Sequence, residues 1–169
     1  MKKYFLLLLA LIMISCSDTP EEVLMNARAN LNKGAYETAR FHLDQIIKND
    51  SSNCEAHLLY GRLEFEQKNF DAAIQSLNKS VTSNPDFLPA YKERAKVFRK
   101  LGLLDKAIQD LSRLLLSYAD DGSIYLERGN IYFEMDMMSF ACEDWLKANE
   151  LGISEAKRIY DKFCIADSE

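Results

Sequence analysis

Four alanines, Ala39, Ala73, Ala107 and Ala141, stand 34 residues apart, and a small residue precedes each by twelve positions: Ala27, Gly61, Ala95 and Gly129. A fixed period of this length marks a chain of repeated supersecondary units, each unable to bury its apolar face alone. Large residues keep the same register at Leu43, Leu77, Leu111 and Trp145, and Tyr36, Phe70, Leu104 and Met138 open the second half of each unit. Glu37, Asp71, Asp105 and Ser139 follow at once, where a helix N-terminus favours acids and capping residues. Each unit therefore predicts a helix hairpin in which small residues let the two helices approach. The large residues are expected to fill the space between hairpins.

The pattern resembles the tetratricopeptide repeat. The second unit carries it best, in Tyr60-Gly61, Phe70, Ala73-Ile74, Leu77 and Asn84-Pro85. The third has Tyr91, Ala95, Phe98, Gly102, Ala107 and Leu111, with Ala119 in place of the closing proline. The fourth has Tyr125, Gly129, Tyr132, Ala141 and Trp145, with Ile153 there instead. The first departs most, with Val23 and Asn30 where aromatics are usual. The resemblance implies an all-α, right-handed superhelical solenoid of four hairpins, 20–53, 54–87, 88–121 and 122–153. A capping helix and tail over 154–169 would close it, with Ala156, Ile159, Tyr160 and Phe163 on one apolar face.

Such arrays usually bind peptides in a concave groove made by their first helices. Carried over by repeat position, the groove residues are Arg28 and Leu31; Leu58, Arg62 and Phe65; Lys92, Lys96, Arg99 and Lys100; and Leu126, Asn130 and Phe133. The third repeat is basic within a chain of net charge −5. Its cations would fit an acidic segment or C-terminal carboxylate of a protein partner. The competing reading is that long basic side chains only solvate an exposed face.

The first residues differ from the rest. Lys2 and Lys3 precede an unbroken apolar run from Tyr4 to Ile14, too short to cross a bilayer, so 1–15 reads as a signal peptide. Cys16 after Met13-Ile14-Ser15 resembles the lipobox of bacterial lipoproteins, in which the cysteine is lipidated and becomes the mature N-terminus. Met13 departs from the usual leucine. That resemblance implies a lipid anchor in the cell envelope. Ser17 lacks the retention aspartate, which favours the outer membrane, facing either the periplasm or the cell surface. Plain secretion with cleavage after Ser17 is the alternative. Residues 16–19 would form a short tether, and Thr19, Pro20 and Glu22 form a helix start with a capping box.

Nothing in the chain calls for catalysis, a cofactor or a metal. His42 and His57, the two histidines, read as packing or surface residues, and no cysteines have metal spacing. The acidic balance gives no reason to expect nucleic acid. Cys142 and Cys164 flank the last turn at similar levels, so a bridge and two small buried residues are both open readings. Met135, Met137 and Met138 read as turn packing or an adaptable surface. The function expected is a non-enzymatic adaptor or scaffold. The alternatives are an assembly factor or pilotin-like lipoprotein for an outer-membrane complex, or a plainly secreted accessory subunit.

Overall fold

The computed structural model describes residues 19–165. Cys16, on which the lipid-anchor expectation rests, lies outside the described residues, as do 1–15 and 166–169. All regular structure among the described residues is helical, in two compact units that divide between Ser51 and Ser52.

The first unit is one hairpin, α1 (Pro20–Asn32) and α2 (Tyr36–Asn49). Thr19 Oγ1 accepts from the Glu22 amide at 3.2 Å while the Glu22 carboxylate accepts from the Thr19 amide at 2.7 Å. Two otherwise orphaned donors are satisfied by this reciprocal pair. Ala27, Leu31, Ala39, Leu43 and Ile46 are the buried residues of the two helices.

The second unit stacks three hairpins and a cap: α3 (Cys54–Glu66) with α4 (Phe70–Ser83), α5 (Leu88–Lys100) with α6 (Leu104–Leu115), and α7 (Gly122–Glu134) with α8 (Met138–Glu150). Asn53 and Asp121 cap α3 and α7 through their side chains. The second helix of each hairpin has no side-chain cap, and the acids Asp71 and Asp105 lie in the first turns of α4 and α6. The register position between the helices of each hairpin is left-handed in all four cases, at Gly34, Lys68, Gly102 and Asp136.

The 34-residue register proves to be a rule for packing inside each hairpin. A Cβ added to Gly61 would lie 2.5 Å from Leu77 Cγ, and one added to Gly129 would lie 2.8 Å from Trp145 Cδ1. The large side chain of the second helix thus sits directly on the small residue of the first. Leu77 and Leu111 also reach the next hairpin, as expected, so the same large residues serve both contacts. Between hairpins, Ala95, Phe98, Leu111 and Leu114 join Ile124 and Ile131 in one core cluster. Leu58, Ala73 and Leu77 join Ala90 and Val97 in another.

Two features depart from a uniform array. α6 stops at Leu115, two residues short of the length of α4, and the 116–121 connection leaves Leu116 and Tyr118 exposed. Ala119, unlike Pro85, does not fix the backbone at this point. The capping segment is a short α9 (Ser154–Tyr160) that widens into a π-helical turn over Asp161–Ile165, so it is not one continuous α-helix. Ala156 is buried, and Phe163 packs in tilted contacts with Phe133 and Trp145 at centroid distances of 5.1 and 6.1 Å. A Cys142–Cys164 disulfide with Cα atoms 5.9 Å apart fastens the turn to α8.

Candidate functional site

The groove positions divide between the two units. Arg28 is exposed on α1 and Leu31 is buried within that hairpin. All the others lie in the second unit, on the row formed by α3, α5 and α7. Leu58 does not line an open surface. It is buried in the core cluster of Ala73, Leu77, Ala90 and Val97, because a leucine facing a neighbouring hairpin is stabilised by leaving water. Arg62 and Leu126 are half-buried, and Phe65 packs on Phe70 at 5.6 Å.

The four groove-position cations of α5 fall into two pairs. Lys96 Nζ donates to Glu93 at 3.2 Å, and Arg99 Nε donates to Glu134 Oε1 on α7 at 3.0 Å. Lys92 and Lys100 are exposed and make no hydrogen bond or ion pair with the described residues. The basic third repeat is therefore partly neutralised by its own neighbours. Glu127 adds a further carboxylate. Burial pushes its pKa up, and Lys96, Lys92 and Arg99 only partly offset that rise. An open cleft of about 390 Å³ lies here, lined by Phe65, Lys96, Arg99, Lys100, Glu127 and Glu134.

Toward the cap, the two remaining groove residues are engaged. Asn130 Oδ1 accepts from Trp145 Nε1 at 2.9 Å, and Phe133 lies between Trp145 and Phe163 with 37% of its surface exposed. Both still border solvent, but the tryptophan and the capping turn fix their positions.

Two arginines with structural roles were missed from the sequence. Arg94 and Arg128, 34 residues apart, each grip an aspartate on the second helix of their own hairpin. His57 is buried in α3, as a packing residue would be. Among the described residues no group of histidine, cysteine and acidic side chains could hold a metal ion, and no helix is long and apolar enough to cross a membrane.

These features define an all-α array of tetratricopeptide-type hairpins with an open cleft of mixed charge on α3, α5 and α7. Residues 24–86 match the tetratricopeptide repeat family. No curated protein matches the sequence at a significant level. Among solved structures, MamA has a TM-score of 0.74 at 22% identity, over 86% of this chain and 85% of its own. A thermophilic TPR protein of Thermus thermophilus has a TM-score of 0.67 at 19% identity, over 88% and 82%. The Cut9–Hcn1 assembly of the APC/C has a TM-score of 0.75 at 15% identity, over 87% of this chain and 30% of that one. At these identities the likeness is one of fold.

Proposed function

We propose that this chain is a non-enzymatic adaptor that holds a segment of a protein partner along α3, α5 and α7. The observation that carries this reading is the arrangement of Lys92 and Lys100. Two ammonium groups without an ion pair among the described residues stand eight residues apart on one helix, about 12 Å at helical rise, Lys100 at the wall of the cleft that Phe65 also lines and Lys92 at the separate cavity toward Asp121. An extended segment with acidic groups at that spacing would meet both. Lys96 and Arg99 serve differently: already bonded to Glu93 and Glu134, they shape the cleft and present aligned partners for polar groups.

The test uses the unpaired cations. In Lys92→Glu/Lys100→Glu, capture of the partner crosslinked by the wild-type chain should fall at least tenfold with the helical content unchanged. Undiminished capture would sink the reading. Lys96→Glu/Arg99→Glu is a poorer probe, because it also breaks two internal ion pairs.

The same proposal includes a bacterial cell envelope location, with an anchor through lipid on Cys16 and the outer membrane as the favoured site. Its support is the apolar run from Tyr4 to Ile14, followed by Ser15 and that cysteine. Labelled fatty acid should enter the wild-type chain and not Cys16→Ser, and equal labelling of both would refute the anchor. An anchored chain suits an assembly factor or pilotin-like role at an outer-membrane complex, whereas an unlabelled one suits a secreted accessory subunit.

A further inference from the structure

Moving along the chain by one repeat turns a packed contact into a hole. Where the second hairpin meets the third, Leu58 on α3 and Phe87 just before α5 pack on the core cluster of Leu77, Ala90 and Val97. Adding 34 to those two numbers gives Lys92 and Asp121. Neither can fill an apolar space. Lys92 extends into solvent, and the Asp121 carboxylate caps α7 by accepting from the Ser123 amide at 2.9 Å. A bond from the Ser123 hydroxyl, together with that amide bond, holds the Asp121 carboxyl below its ordinary pKa.

What remains is an open cavity of about 260 Å³ between α5 and α7, lined by Leu88, Pro89, Leu114, Tyr118 and Ile124. Lys92 and Asp121 stand at its rim. Leu114 and Ile124 belong to the core cluster, so the floor is apolar and held in place. Cavities of about 150 Å³ are large enough for benzene, so this one admits a single ring. The charge at the mouth is equally specific. Asp121 is engaged by Ser123, whereas the Lys92 ammonium faces Asp121 and Glu127 electrostatically but makes no hydrogen bond or ion pair with the described residues.

We infer that this socket receives one aromatic side chain of the partner polypeptide, with an adjacent carboxylate of the same segment pairing with Lys92. The inference rests on the groove reading, since Lys92 holds a groove position by its place in the repeat and also lines the socket, and it names the anchor that the groove alone does not. The partner ring takes the place that Phe87 holds one repeat earlier, and its burial is driven by the same transfer from water.

The full chain, isotopically labelled at Leu and Ile methyl groups, is titrated by NMR with three acetylated and amidated tetrapeptides: Gly-Asp-Phe-Gly, Gly-Asp-Ala-Gly and Gly-Asn-Phe-Gly. Leu114 and Ile124 methyls should shift and saturate with the first, and at least tenfold more weakly with the other two. In Lys92→Leu/Asp121→Phe, which restores the residues of the preceding repeat, the shifts should vanish while the helical content is unchanged, even though the α7 cap is lost. Equal binding of all three peptides overturns the socket. Shifts confined to Leu126 on α7 also overturn it while leaving the groove reading standing, and no shift with any peptide counts against both. Concentration-dependent shifts without peptide would give the socket to a second copy, and competition by a short fatty acid would give it to an acyl chain. Either result overturns the proposal. The peptide comparison needs no variant, so it decides the matter even if the double substitution fails to fold.

Discussion

Arg128 holds Asp144 through two parallel hydrogen bonds, Nε to Oδ2 and Nη2 to Oδ1, both 2.8 Å long. Its remaining nitrogen reaches back to Ser112 Oγ on α6 at 3.0 Å, and its guanidinium lies over Tyr125 and Tyr132. Thirty-four residues earlier Arg94 grips Asp110, reaches Asn78 on α4, and lies over Tyr91 and Phe98. One arginine thus joins three helices, twice. Both pairs are largely buried, with Asp144 and Asp110 side chains 7% and 6% exposed. Removing one member leaves a charge without its partner, which costs about 3 kcal/mol or more, whereas replacing both by apolar groups is often neutral. Asp144→Ala should therefore lower stability by about 3 kcal/mol, and Arg128→Met/Asp144→Leu should recover most of it. A double-mutant cycle by urea denaturation checks this, and simple additivity would refute the coupling.

The contact of Gly129 with Trp145 makes a second coupling. Gly129→Ala places a methyl against the indole and should cost about 1–3 kcal/mol, as overpacking does. In a Trp145→Leu background the same change should cost less than in the wild type, because Ala95 already stands opposite Leu111 in the preceding hairpin. Equal costs in the two backgrounds would show that the fit is not specific.

Lys68 has φ 63° at the turn between α3 and α4, where the first and third hairpins have Gly34 and Gly102. A left-handed conformation costs a residue with a Cβ about 1–2 kcal/mol. Lys68→Gly should raise the melting temperature measurably, after the larger unfolded-state entropy of glycine is subtracted. Asp136→Gly should gain less, since aspartate tolerates this region better. A lower melting temperature for Lys68→Gly would contradict the strain.

Burial raises the Glu127 pKa above its ordinary value near 4.5. A carboxyl with a raised folded-state pKa stabilises the fold fully below its unfolded value, and that stabilisation is lost as pH rises through the folded value. Glu127→Gln cannot lose its proton, so relative to wild type it should gain stability between about pH 4 and pH 7. Urea midpoints at the two pH values test the sign, and a variant that loses ground toward neutral pH would reverse it.

The Cys142–Cys164 disulfide closes a loop of 22 residues. Loop-closure entropy gives such a bridge about 3 kcal/mol. Reduction should lower stability by about that amount and loosen Phe163 from Phe133 and Trp145, seen as a change in tryptophan fluorescence. An unchanged unfolding midpoint after reduction would contradict this.

The fold was legible because its packing rule is periodic. Wherever Ala27, Gly61, Ala95 or Gly129 stands, the second helix follows at a fixed distance, and no long-range information is needed. The site was legible only in part. Lys92, Lys96, Arg99 and Lys100 read as one basic stripe because charge was counted within one repeat. The Arg99 partner, Glu134, lies 35 residues away on the next hairpin. Leu58 shares a repeat position with Lys92, yet it is buried where Lys92 is exposed, since side-chain chemistry decides which way the same backbone site is used. The arginine pairs were visible as Arg94 and Arg128 with Asp110 and Asp144, but two copies alone stand out poorly beside four. The π-helical turn at Asp161–Ile165 left no sequence signal, because it follows from fastening Cys164 and seating Phe163 together.

Site-specific photocrosslinking in intact cells tests the groove most directly. A photoreactive residue at Lys100, beside the cleft, should yield a discrete adduct with one partner protein. The same residue at Gln109, exposed on α6, should yield none. Lys92→Glu in the Lys100-labelled chain should weaken the adduct at least severalfold. Equal adducts from both positions, or an adduct indifferent to Lys92, would contradict the assignment of α3, α5 and α7 as the partner-binding surface.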